Sequence, residues 1–440
     1  MPKNNRLTDL GKLNSEGDND LLEILSSWTK EYSDTIHYQT ALGHFYLFNH
    51  PSDVESVFKN SDIVRVSFIK MVLGEGLLSS EGDHWRKQRT IAMPHFTCRQ
   101  ALGYVPLIVD QTKSMMNDWH IKAKLGEPVD LAHDMNLLTV NVILQALYSY
   151  ELDEETDRAL HEAVSILMAD LSGLSKMAFI PSLVFSSSRQ QTFNTAMSTV
   201  EGVVELILEK RERDSNPPND FLNGLLKATD KETGKPLDKI AIRDEIITTM
   251  IAGSETTALV LAWAWSLINH HPASEEKLYQ EIDTVLGKRS PQAEDLLKLE
   301  WTDFVLKEAM RLYPPVWNTA RKASRDVKVG DVSLREGDSA IICPYTTHRH
   351  PEFWDSPDSF IPERFGSSSY GSKQKLAYIP FGGGRHLCLG MHFALIEASL
   401  VMALIGQQFR IRPVKEGIPG MDPGLTLRLV GGYPVYLESR

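Results

Sequence analysis

Cysteine is scarce in this chain, with three in 440 residues: Cys98, Cys343 and Cys388. So few, so far apart and odd in number, they build no disulfide framework and suit a reducing compartment. Positive charge is also in deficit, 46 Lys and Arg against 58 Asp and Glu for a net charge of −12, which argues against general nucleic-acid binding. The segment Met1 to Asp20 lacks the apolar run of a signal or anchor, so no membrane anchor is expected. One stretch, Ile246 to Ile268, is long and apolar enough to suggest a span. It carries Glu255, which is costly in lipid, and its flank Arg243-Asp244-Glu245 has no basic excess. A buried helix of a soluble protein fits better. Internal repeats and low-complexity segments are absent, and the charged loops Arg211–Pro218 and Asp230–Leu237 are not interdomain linkers. The expectation is one soluble, cytoplasmic, monomeric domain over residues 1–440.

What is present is mostly helical. The hydrophobic fraction, 42%, is that of a globular protein with a substantial core. Helical spacing predicts helices at 22–32, 53–59, most of 85–209, 238–271, 273–286 and 301–313. Ser172–Ser188, rich in serine and holding Pro181, predicts a loop between helices. Alternation at 35–48 predicts a hairpin. Shorter β-prone runs lie at 327–334, 339–343 and 426–436. The fold class is therefore mainly α with a minor β region, drawn mainly from 35–50, 327–343 and 426–436.

The most informative run is Tyr378-Ile379-Pro380-Phe381-Gly382-Gly383-Gly384-Arg385-His386-Leu387-Cys388-Leu389-Gly390. A cysteine there ends a glycine-rich turn and precedes an apolar stretch with helical spacing. Free backbone N–H groups and the positive end of a helix dipole favour its thiolate. Glycines beside it let a flat ligand approach, which suits an axial ligand to haem iron. Alone, the same run also reads as a core cysteine beside a flexible turn. A nucleotide-binding loop is the weaker alternative, since no lysine with Ser or Thr follows.

Three further constellations bear on that choice. Glu308 and Arg311, three apart on one helical face, can pair on a surface or, if buried, would need further partners. Trp85 and Arg89, four apart, place an indole N–H and a guanidinium side by side, a donor set for a carboxylate or a plain cation–π contact. In Ala252-Gly253-Ser254-Glu255-Thr256-Thr257, Thr256 can turn its hydroxyl back to Ala252 O and leave a local widening. Glu255 beside it offers an acid and an alcohol from which to relay protons. Taken alone, that segment is equally a buried helix with satisfied polar groups.

The pattern Phe381-x-x-Gly384-x-His386-x-Cys388-x-Gly390 resembles the haem-binding loop of the cytochrome P450 family. The resemblance runs from about Asp53 to the C-terminus with these motifs in family order. It implies a single-domain fold with haem b (iron protoporphyrin IX) between the long central helix and the helix after the cysteine loop. Cys388 would be the iron's axial ligand, with Phe381, Gly382, Gly390 and Ala252 also against the haem. Trp85, Arg89, Arg321 and His386 would bind its propionates. Arg364 would complete with Glu308 and Arg311 a structural network that holds the cysteine loop. Thr256 and Glu255 would be catalytic, in oxygen activation. His386 replaces a more usual arginine and Arg385 a usual proline, changes that bear on the propionate contacts.

The implied activity is insertion of one oxygen atom from O2 into a C–H or C=C bond. Electrons must come from outside, because the chain carries no flavin or iron–sulfur motif. A ferredoxin or flavodoxin with its reductase is the expected donor, docking on a basic patch of Arg86, Lys87, Arg99, Lys373, Lys375 and Arg385. The pocket by family position includes Phe68, Val72, Met168, Met177, Phe179, Ile251, Val316, Trp317, Asn318 and Leu425. Its apolar character suits a fatty acid, terpenoid or steroid, with Asn318 and Thr319 available to one polar group. Core packing explains the same residues nearly as well. Two alternatives stay open: desaturation, oxidative coupling or peroxide-driven chemistry at the same centre, and a non-catalytic haem or zinc protein using His348, His350 or His386.

Overall fold

The central helix, Lys239–Asn269, is the axis on which the other elements pack. Asp238 caps it, its side chain accepting from Ala241 N at 2.7 Å. Apolar residues surround it on every side, and Ile246, Ile247, Leu261, Trp263, Trp265 and Ile268 are fully buried. A helix apolar all round belongs in a core. It and Met391–Gln408 are long and apolar enough to cross a membrane, yet both lie mostly buried within the protein. The computed structural model describes residues 7–9, 21–31, 34–40, 42–66, 69–176, 187–229, 234–366 and 370–440.

Leu131–Tyr148 lies along the central helix, fixed by Thr139 Oγ1 donating to Ser254 O at 3.0 Å and Tyr148 Oη to Ile246 O at 3.2 Å. Val105–Leu125, Glu300–Leu312 and Met391–Gln408 complete the helical body. One continuous apolar cluster, from Val72 to Leu437, joins all of them.

A six-stranded sheet flanks this body, in the order Leu7–Asp9, Thr35–Thr40, Gly43–Phe48, Ser339–Ile342, Thr319–Ala323, Ile63–Arg65. The predicted hairpin is its core: Ile36 faces Leu47 and Tyr38 faces Phe45 in antiparallel register. Leu22, Tyr38, Trp317 and Tyr345 form one apolar cluster against the sheet, and Phe48, Val57, Phe58 and Ile342 form another. A smaller sheet joins Phe409–Pro413, Pro434–Ser439 and Val129–Asp130, and two hairpins lie at 327–334 and 421–429.

Two elements depart from the sequence expectation. Thr319–Ala323 is a strand although Ala, Arg and Lys have little β preference, because it is zipped between Ser339–Ile342 and Ile63–Arg65. The helix Glu154–Lys176 runs past Ser172, where a loop was predicted. Ser172 Oγ donates to Met168 O at 2.6 Å and accepts from Leu425 N at 2.8 Å, so a tertiary contact holds that turn helical. Residues 177–186 of the predicted loop, with Met177 and Phe179, lie outside the described residues, as does Phe68, while Ser187 and Ser188 open the helix Ser187–Glu212.

Candidate functional site

Behind the cysteine loop the structure buries a charged network. Glu308 and Arg311 are both fully buried, with Arg311 Nε 2.7 Å from Glu308 Oε2 and Nη2 2.8 Å from Oε1. Arg364 Nε adds a third contact to Glu308 Oε1 at 3.0 Å, and Ile361 N donates to the same oxygen at 2.9 Å. Arg311 also donates to the carbonyls of His348, Pro357 and Ser359. Buried ions are tolerated only when each is multiply hydrogen-bonded, and these are.

His348 carries the network to the loop. Its Nδ1 lies 3.2 Å from Arg311 O, and its Nε2 accepts from Ile379 N at 2.9 Å. Burial, then the charge of Arg311, pulls its pKa down to about 3, so the ring is neutral and both nitrogens are used. His350 likewise turns to Asp34, at 3.2 Å. Among the described residues no group of three His, Cys, Asp or Glu could hold a metal, which leaves the zinc reading without a site.

The loop itself closes tightly. Cys388 N donates to Phe381 O at 3.0 Å. Gly384 adopts φ +62°, and a Cβ there would meet Phe58 O at 2.1 Å, so only glycine fits. At Gly382, φ +74°, an added Cβ would meet nothing within 4 Å, so that turn faces open space. Cys388 lies deep in the protein but is accessible, which means that it fronts an internal cleft. The expected preference for thiolate needs correction. Gly390 N, the charge of Arg89 and Met391 N all favour the anion, yet burial outweighs them and raises the free thiol. Desolvation disfavours any charge, so it takes a bound metal ion to deprotonate this sulfur outright.

Around the cleft stands a cluster of cations. Trp85 is buried and its Nε1 has no hydrogen-bond partner. His386 stacks edge-on against it with ring centroids 4.4 Å apart. Arg89 Nη1 donates to Leu387 O at 2.9 Å, next to the cysteine. Arg321, on the unpredicted strand Thr319–Ala323, is buried and held by Thr319 Oγ1 and Ala320 O. Two members were missed in the sequence. Arg65 donates to Leu77 O and Leu78 O, and Glu81 accepts from Arg65 N at 3.0 Å and sits 3.2 Å from His386 Nε2. Burial, then the charge of Arg321, lowers Arg65 to about 9, while burial alone leads the fall of Arg321 to about 10. Glu81 is burdened by burial, yet His386 and Arg65 hold its carboxyl down to about 2. Guanidiniums crowded around one acid and a buried, unpaired indole N–H call for anionic groups from outside. Two carboxylates on a flat ligand satisfy both, so the residues present fit haem and its propionates.

The central helix runs unbroken through Ala252 to Thr257. Thr256 Oγ1 donates to Ala252 O at 3.0 Å, the back-bond expected, and the predicted widening goes no further than this. Glu255 is buried and paired with Arg428, which the sequence did not suggest. Of the expected pocket, Val72, Met168 and Ile251 belong to the main core, with Leu425 packed against it. Val316 is exposed, and Asn318 Nδ2 is buried without a partner. Trp317 lies instead in the sheet-side cluster and gives its Nε1 to Gly424 O at 2.7 Å. Of the expected basic patch, Arg86, Lys373 and Arg385 each have an acidic partner, Asp83, Glu352 and Glu81, so its net charge is smaller than the sequence implies.

A family model described as Cytochrome P450 matches residues 6–431. The chain belongs to the cytochrome P450 family. It is a haem-using oxidoreductase, a haem-thiolate monooxygenase. It is similar to cyclooctat-9-en-7-ol 5-monooxygenase of Streptomyces melanosporofaciens, 30% identical over 92% of this chain and 86% of the relative. Pentalenene oxygenase of Streptomyces avermitilis is 28% identical over 89% of this chain and 85% of its own. LUTEIN DEFICIENT 5 of Arabidopsis thaliana is 27% identical over 90% of this chain and 70% of its own.

Proposed function

We propose that this P450 oxygenates a compact, apolar, alkene-derived small molecule, with Cys388 as the residue that would hold the haem iron. The observation that carries this is the cleft itself: an accessible cysteine at depth, a rim of guanidiniums and an unpaired Trp85 N–H. When bound, the haem supplies electron storage and dioxygen activation, which no side chain here can perform. The chain's own residues do the rest. Arg65, Arg89 and Arg321 would offset the charge of the propionates, with the N–H of Trp85 and the ring of His386 beside them as hydrogen-bonding groups. Phe381, Gly382, Gly390 and Ala252 would lie against it. Thr256 and Glu255 would hold and pass on protons for the reaction. Val72, Met168, Ile251 and Leu425 offer an apolar wall that orients a substrate by shape and excludes water, and Asn318 Nδ2 is a free donor for one oxygen atom of it.

The names of two relatives denote oxygenation of alkene compounds, which supports this substrate class over a straight-chain acid. The described residues near the cleft supply the rim cations for the propionates but no further one in the pocket set for a substrate carboxylate. A ferredoxin or flavodoxin is the proposed electron donor, on the cysteine side, where Arg99 and Lys375 are exposed. A cytoplasmic location follows from the same reading.

The test is a titration of the ferric protein with cyclic alkenes, their alcohols and fatty acids, read as a low-to-high-spin shift, followed by product mass. Cyclic alkenes or their alcohols should shift the spin state and gain one oxygen atom. A shift by fatty acids alone would overturn the substrate class, and loss of two hydrogens without oxygen gain would overturn the reaction.

A further inference from the structure

The hairpin at 421–429 is pinned on several sides. Leu427 N donates to Pro315 O at 2.9 Å, and Trp317 Nε1 donates to Gly424 O at 2.7 Å. Trp263 Nε1, on the central helix, donates to Leu427 O at 2.9 Å, and Leu425 N donates to Ser172 Oγ at 2.8 Å. A Cβ on Gly424 would meet that same Ser172 Oγ at 2.5 Å, so the turn has no slack. At this well-tied junction Thr426 Oγ1 and Asn318 Nδ2 are nevertheless buried without a hydrogen bond. Thr426 is 4% exposed. Its backbone oxygen accepts from Gly424 N at 3.1 Å, and only the hydroxyl is left over.

The two atoms belong to one small patch. Between the tie of Leu427 to Pro315 and the tie of Gly424 to Trp317 lie only Leu425 and Thr426 on one segment and Val316 on the other. Trp317 turns into the sheet-side cluster, whereas Val316 is 42% exposed and so borders open space. Val316 and Asn318 stand at most about 7 Å apart along the chain. One oxygen atom making two hydrogen bonds of about 2.8 Å bridges a gap of that order. The patch also joins the two parts of the cleft. Thr319, next to Asn318, accepts from Arg321 Nη1 of the cation rim at 2.8 Å. Arg428, on the same hairpin as Thr426, holds Glu255 of the central helix, with Nε 2.6 Å from Oε1. Because Arg428 is already paired, the patch suits a neutral group and not a carboxylate.

We infer that Thr426 and Asn318 together recognise a hydroxyl or keto oxygen that the substrate already carries when it enters the cleft. A buried polar group without a partner is unfavourable, and one ligand oxygen relieves both. The asparagine N–H only donates, while the threonine hydroxyl donates or accepts. An alcohol oxygen accepts from Asn318 Nδ2 and donates to Thr426 Oγ1; a ketone accepts from both. A bare hydrocarbon leaves both atoms open. The ties around the hairpin hold the pair in place before a ligand arrives, which favours selection over adjustment. Thr426 is thus a specificity-determining residue that touches the oxygen already present, not the carbon to be oxidised. Its chemistry also orders the reactions: a step that hydrates or oxygenates the alkene skeleton must come before this one.

This deepens the substrate class proposed above and rests on it, and the two fail differently. The ferric holoenzyme is titrated with cyclododecene, cyclododecanol, cyclododecanone and dodecanoic acid, and the low-to-high-spin shift gives each Kd. Wild type is compared with Thr426→Val, Asn318→Leu and the double variant, and thermal midpoints are taken without ligand. Cyclododecanol and cyclododecanone should bind about tenfold or more tighter than cyclododecene, the effect of two ordinary hydrogen bonds. Each single variant should narrow that ratio by about fivefold, and the double variant should abolish it. Thr426→Val removes a hydroxyl that has no partner, so its midpoint should hold or rise. A lowered midpoint would show that the hydroxyl serves the fold, and would overturn the inference. Equal affinity for the ring alkene and the ring alcohol in the wild type, or a preference that both single variants leave intact, also overturns it while the alkene reading stands. If dodecanoic acid alone shifts the spin state, the alkene reading fails and takes the inference with it.

Discussion

The two sides of the cysteine loop are built on opposite principles. Behind it, Glu308, Arg311, Arg364 and His348 form a closed network in which each charge meets two or more partners. In front of it, polar atoms are buried and left open: Trp85 Nε1, Glu255 Oε2, Asn318 Nδ2 and Thr426 Oγ1. Unpaired buried polar groups are expensive, and a fold tolerates them where a ligand or ordered water completes them. The rigid side therefore stores no chemistry. On the function proposed above, its task is to present the loop, and the open side is where binding and reaction are proposed to take place.

Mutations should separate the two sides by what they damage. The largest effect is expected from Glu308→Ala, which leaves Arg311 buried without its carboxylate. A loss of about 3–5 kcal/mol in urea unfolding is expected, with little folded protein recovered. A loss below about 1 kcal/mol would mean that the network is dispensable and the contrast false. His348 gives a pH signature of the same side. Its pKa falls from 6.5 unfolded to about 3 folded, so below 6.5 the unfolded chain takes up a proton that the fold refuses. Stability should then fall by about 1.4 kcal/mol per pH unit as pH drops from 6.5 towards 3, and His348→Gln should remove that increment.

On the open side the same measurements should barely move. Thr256→Ala is expected to change stability by less than about 1 kcal/mol while raising peroxide release several-fold. Trp85→Phe keeps the packing and removes only the N–H, so haem should dissociate several-fold faster, corresponding to about 1 kcal/mol, with the apoprotein midpoint unchanged. A lowered apoprotein midpoint in Trp85→Phe would show that the indole N–H already serves the fold.

The legible parts were those whose chemistry lies within one short stretch. Cys388 and its glycines form a contiguous run, and Glu308 with Arg311 share one helical face, so local spacing exposed them. Arg65, Glu81 and Arg428 stayed hidden because partners distant in the chain create their roles. Arg428 meets Glu255 across 173 positions, through a hairpin too short to stand out. The strand carrying Arg321 was hidden for the same reason, its pairing coming from neighbours and not from its own residues. Pocket residues are the least legible. Val72, Met168 and Ile251 sit in the main apolar core, where lining a cleft and filling an interior demand the same side chains.

The most direct test of the whole account is the carbon monoxide difference spectrum of the reduced protein beside that of Cys388→His. The account predicts a Soret maximum at the red-shifted thiolate position in the wild type, moving to the imidazole-ligated position in the variant. An imidazole-type spectrum in the wild type, or a thiolate-type spectrum that persists in Cys388→His, would contradict it.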